Sequence, residues 1–173
     1  MRVTLITLFL LAIFTLLWRI LPHGWNMTPV MALALFAGAR TASPTLSYAF
    51  PMAALLLSDL ILGFHDTMLF VYGAVALMVL VGRLMGPSAG LLTHIGASLA
   101  GSALFFVITN AGVWLVGGLY PQTLEGLVSC FVMAIPFFWK TLAGDLFFVS
   151  LFFVVFHLVQ QTVLDGFGRF RRI

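Results

Sequence analysis

Residues 46–63 read LSYAFPMAALLLSDLILG. Asp59 is the one charged side chain among these eighteen. A helix needs about 20 predominantly apolar residues to cross the hydrocarbon core of a bilayer, so this stretch reads as a spanning helix. Pro51 near its start predicts a kink, and Gly63, Phe64, His65 and Asp66 close it with turn chemistry. The same reading applies on both sides of it. Residues 3–21, 67–84, 91–110 and 141–159 are apolar runs of similar length. The first ends in Trp18, Arg19, Ile20, Leu21, Pro22. No small-residue cleavage pattern follows it, which favours an uncleaved first helix over a signal peptide.

Residues 29–39 form a shorter apolar segment. Asn26 or Thr28 is placed to cap it, and Pro29 suits a first helical turn. Eleven residues do not span alone. Two readings are open: the segment borrows length at its ends, or it is a broken helix lining a cavity.

The whole chain agrees with a lipid solvent. Of its 173 residues 62% are hydrophobic and only 8% charged, against roughly 25% charged in a soluble domain. Mean hydropathy is +1.17. This excludes a disordered chain, a nucleic-acid-binding domain and an ordinary soluble enzyme. The single cysteine, Cys130, excludes an internal disulfide and reads as a small hydrophobe. The expected fold is all-α: one polytopic membrane domain over 1–173, with six transmembrane helices.

Residues 111–140 decide the helix count. They hold Trp114, Gly117, Gly118, Tyr120 and Pro121, then an apolar run from Leu127 to Phe138. Gln122, Glu125 and Ser129 share one polar stripe at helical spacing, which favours an outer interfacial or re-entrant capping segment over a seventh span. Charge supports six. With six spans one side holds Arg2, Arg40, Arg83, Arg169, Arg171 and Arg172, and the other Arg19 and Lys140. By the positive-inside rule both termini are then cytoplasmic.

An ionisable group within a span is costly and asks for a reason. Asp59 and Asp145 both qualify, at similar depth in the outer half. Each is either locked in an ion pair or hydrogen bond that holds helices together, with Arg19 and Lys140 available as partners, or part of a ligand site. All four tryptophans lie on the outer side, more lopsided than an interfacial belt, which points to an outward pocket. The expected solute contacts are Asp59, Asn110, Asp145, Arg19 and Asn26, with Trp114 and Tyr120 on the capping segment giving stacking surface. No recognised metal-ligand spacing, nucleotide loop or catalytic motif is present, so neither cofactor nor metal is expected. Small residues in the second and fifth spans fit close helix packing or a partner surface.

Certain stretches carry a resemblance. They are Leu21-Pro22-His23, Asn26, Thr28-Pro29-Val30, Ala32 to Ala39, Leu57-Ser58-Asp59-Leu60, Gly63-Phe64, Val71-Tyr72-Gly73, Thr109 to Trp114, Gly118 to Pro121, and Pro136 to Phe138. Together they resemble a family of small, uncharacterised bacterial six-helix membrane proteins grouped as transport proteins, over Leu21 to about Asp145. That family is in turn similar to the substrate-binding S-components of energy-coupling factor vitamin transporters. The resemblance implies six helices, cytoplasmic termini, a loop-capped outward pocket for a vitamin-type solute, and a separate energy-coupling module as partner.

The expected function is therefore solute binding and transport in the bacterial inner membrane, and not an enzyme. The rivals are a structural or assembly subunit of a membrane complex, a membrane-embedded enzyme acting on lipid or an isoprenoid with the outer acids and His23 or His65 as acid and base, and a gradient-driven permease. The expected partners are the bilayer, a small solute and the energy module, with no nucleic acid.

Overall fold

The computed structural model describes residues 2–22 and 27–170, with side chains for all of these except residues 2, 91 and 163–170. The described chain is all-helical. Six helices follow one another: α1 Arg2–Ile20, α2 Val30–Arg40, α3 Pro44–Leu62, α4 Met68–Met85, α5 Leu91–Val116 and α6 Leu124–Phe170. Five of them, all but α2, are long and apolar enough to cross a membrane. The chain reverses at each turn. One end of the bundle gathers the end of α1 and the α3–α4 turn, and is called here the Arg19 end. The other gathers the α2–α3 and α4–α5 turns, and is called the Arg40 end.

α2 is the centre of the bundle. Every residue from Val30 to Ala39 is buried, and the helix packs against all five others. Neither reading of the short segment anticipates this. The reason is its composition. It is apolar all round, so it has no face for water, and its small residues let neighbouring backbones come close. α4 comes closest. A Cβ on Gly38 would overlap the Val79 carbonyl, and one on Gly82 would overlap the Leu35 carbonyl. In lipid, helices gain little from leaving the solvent, so such close approach carries much of the association. Pro29 stands at the N-cap position of α2 with no side-chain cap. Of the two proposed caps, Thr28 therefore does not serve, and Asn26 lies outside the described residues.

Large apolar side chains point outward instead, Leu69 at 79% and Leu92 at 84% exposure. Such a surface suits lipid, not water.

α5 and α6 make an antiparallel pair. Phe106 of α5 meets Phe131 and Phe138 of α6, with ring centroids 5.5 and 4.9 Å apart. Further along, His94 lies on Phe153. These contacts explain residues 111–140. The apolar run from Leu127 finds a partner on α5, so the stretch folds as the end of α5, a turn at 117–123, and the first part of α6. Gly118 makes the turn at φ +66°. α6 runs unbroken through Pro136 for 47 residues. At 1.5 Å per residue that is about 70 Å, more than twice a hydrocarbon core of about 30 Å.

Candidate functional site

The polar groups of the Arg19 end come from five helices. Arg19 closes the last turn of α1. Asp59 sits in the last turn of α3, with its carbonyl accepting from the Gly63 N–H that caps the helix. The Arg19 Nη2 donates to Asp59 Oδ1 at 2.5 Å. Tyr72 of α4 donates its hydroxyl to Asp59 Oδ2 at 2.9 Å. Both carboxylate oxygens are thus occupied, and the Asp59 side chain is only 2% exposed. Of the two readings open for Asp59, the structure supplies the ion pair. Tyr72 is the unforeseen member, thirteen residues away and visible only once α3 and α4 are aligned.

Asp145 of α6 is also buried, at 2% exposure. Its partner is Ser102 of α5, whose Oγ lies 2.6 Å from Asp145 Oδ2. The same hydroxyl is 2.9 Å from the Ser98 carbonyl. One hydroxyl proton thus faces two acceptors. Ser102 reads in the sequence as part of a small-residue packing pattern, and its role follows from the α5–α6 register.

A cleft of about 340 Å³ opens between these groups. Arg19 and Asp145 both line it, with Thr28, His65 and Thr141 as further polar groups. Val30, Met31, Leu55, Leu62, Val71 and Phe105 give it apolar walls. The Arg19 Nε is buried and has no hydrogen-bond partner, a donor left in need of an acceptor. His65 keeps its Nδ1 against Thr67 Oγ1 at 2.9 Å.

The predicted contacts therefore separate into groups. Arg19 and Asp145 share the cleft, and Asp59 stands behind Arg19 and holds it. Asn110 lines a neighbouring cavity of about 250 Å³ between α5 and α6, which meets the cleft at Phe105 and Thr141. Its amide donates to the Phe106 carbonyl at 2.8 Å. Trp114 and Tyr120 line neither cavity. The Trp114 indole donates to the Pro121 carbonyl at 3.0 Å and Gln122 donates to the Trp114 carbonyl at 2.6 Å, so this group fastens the α5–α6 turn. Asn26 lies outside the described residues. Among the described residues no cluster of three or more His, Cys, Asp or Glu could hold a metal ion.

No curated protein and no solved structure matches the chain. One family does, over residues 1–166, and it is described as a family of unknown function, DUF6580. That match spans nearly the whole bundle, and the chain belongs to this family.

Proposed function

We propose that the chain is a membrane transport protein that binds a small solute in the cleft at the Arg19 end. The observation that carries this reading is a basic and an acidic side chain lining one small cavity. Arg19 and Asp145 line the same cleft, and Arg19 retains a buried N–H without an acceptor. Lipid offers no reason to place such groups together. A polar solute with an acceptor at one end and a donor at the other would satisfy both, with Met31, Leu55 and Phe105 against its apolar part. At about 340 Å³ the cleft sits at the small end of ligand pockets, in keeping with a vitamin or a vitamin precursor.

In this reading the Arg19 end faces outward and both termini lie in the cytoplasm, as the arginine distribution favours. The membrane is the bacterial inner membrane. The chain resembles an S-component of an energy-coupling factor transporter: it captures solute, and a separate module supplies energy. Arg19 and Asp145 bind, and Asp59 and Tyr72 position Arg19. The assembly-subunit reading draws on one observation, the completed Arg19–Asp59 pair.

A thermal-shift screen of the purified protein against water-soluble vitamins and their precursors separates the two. Solute binding predicts stabilisation by a narrow chemical class, with affinity reduced about tenfold or more in Arg19→Gln, the loss of a charge-assisted hydrogen bond. Stabilisation that is equal in wild type and Arg19→Gln would contradict the assignment of the cleft.

A further inference from the structure

The Arg40 end holds a second polar site. The Gly38–Gly82 contact creates it. α2 and α4 run parallel, so their close approach ends with Arg40 and Arg83 side by side, two residues beyond Gly38 and one beyond Gly82. Both arginines line a cavity of about 230 Å³ with Thr41, Gly86 and Pro87. Arg40 and Thr41 also line a second cavity of about 300 Å³, with Thr4, Ala42 and Ser43.

Two like charges at one cavity repel, and burial raises the cost. A carboxylate would relieve it, yet among the described residues neither arginine has one within ion-pair distance. Their hydrogen bonds go to neutral groups. Arg40 Nη1 donates to the Pro87 carbonyl, and Arg83 Nη1 donates to Ser47 Oγ at 3.2 Å. The Arg40 guanidinium is held in place by the rings of Phe153 and Phe156, 5.2 and 5.5 Å from their centroids. Its Nε is buried without a partner.

Thr41 supplies the independent observation. It is only 8% exposed, lines both cavities, and its Oγ1 has no hydrogen-bond partner. Leaving a buried hydroxyl unpaired is costly, so a ligand that accepts a hydrogen bond there would be favoured. α3 adds a favourable field at the second of these cavities, where its N-terminus begins at Pro44.

We propose that the Arg40 end binds a phosphate group, held by Arg40, Arg83 and the Thr41 hydroxyl. Guanidinium groups match phosphate in geometry as well as charge. The phosphate belongs either to an anionic lipid headgroup or to a soluble phosphate ester. The site lies at the opposite end of the bundle from the solute cleft and does not depend on it.

Two probes distinguish the sources: inorganic phosphate added to protein in neutral detergent, and nanodiscs of phosphatidylcholine with or without phosphatidic acid. Thermal stability is read in each, for wild type, Arg83→Gln and Thr41→Val. Arg83→Gln keeps a side chain able to reach Ser47, so it tests the site without unmaking the Arg40 packing. Binding of inorganic phosphate assigns a soluble ester, and a response to phosphatidic acid alone assigns a lipid. In either case the apparent affinity falls about tenfold or more in Arg83→Gln and less in Thr41→Val. No response to either probe, or a response equal in all three proteins, overturns the proposal.

Discussion

Replacing Asp59 by alanine leaves Arg19 as a charge without a counter-charge at the end of α1. Asp59 is 2% and Arg19 16% exposed in the side chain, so water screens the pair little. Removing one partner of a buried ion pair costs about 3–5 kcal/mol. The hydrogen bond from Tyr72 at 2.9 Å adds about 1 kcal/mol. Arg19 also borders the cleft, where water can reach the stranded guanidinium, so the lower end of the combined range is expected, about 4 kcal/mol. Removing both partners has a different effect, because desolvation of the pair offsets much of its attraction. Arg19→Leu with Asp59→Leu should recover most of the loss. The assay is reversible unfolding in mixed detergent micelles, run on wild type, Asp59→Ala, the single variants Arg19→Leu and Asp59→Leu, and their double. A loss below about 1 kcal/mol in Asp59→Ala would place the pair among weak surface bridges. A double variant as unstable as the sum of the singles would show that the two side chains do not act on one another. Either result refutes the reasoning.

Ser102→Ala removes the only side-chain donor seen on Asp145 among the described residues, and should cost about 1–3 kcal/mol in the same assay; an unchanged midpoint would mean that water serves Asp145 equally well. Gly82→Ala pushes a methyl against the Leu35 carbonyl and should destabilise the bundle by about 1–3 kcal/mol, since backbone cannot yield as a side chain does; a neutral result would show that α2 and α4 separate freely. Trp114→Phe breaks the bond to Pro121 at a cost of about 1 kcal/mol and should leave solute affinity unchanged. Lost affinity with unchanged stability would return Trp114 to the binding surface.

The spans were legible because lipid imposes a simple demand. A run such as 46–63 has to be a helix of nearly its own length, and α3 occupies Pro44–Leu62. α2 was legible as a helix but not as the core. Its eleven residues suggest a defect in a span, and only the positions of five neighbours show that they are the centre. The turn at 117–123 was harder. Glycines and a polar stripe argue for an interfacial segment; what they do not reveal is that Phe131 and Phe138 meet Phe106 and pair the stretch with α5. Asp59 and Asp145 stood out as charges inside apolar runs. Their partners did not, because Tyr72 and Ser102 are identified by register between helices, which no local pattern encodes. The Arg40 end was masked by its own explanation: arginines between spans are what orientation alone requires, and it takes the orphaned Thr41 hydroxyl to suggest more.

The central claim is that Arg19 and Asp145 bind a small polar solute. Native mass spectrometry of protein purified gently from cells grown in rich medium tests it most directly, with Arg19→Gln and Asp145→Asn in parallel. The account predicts one non-lipid small molecule released in stoichiometric amount from the wild type and depleted in both variants. Lipid adducts alone, unchanged by either substitution, would contradict it and turn attention to the chain as a subunit of a larger assembly.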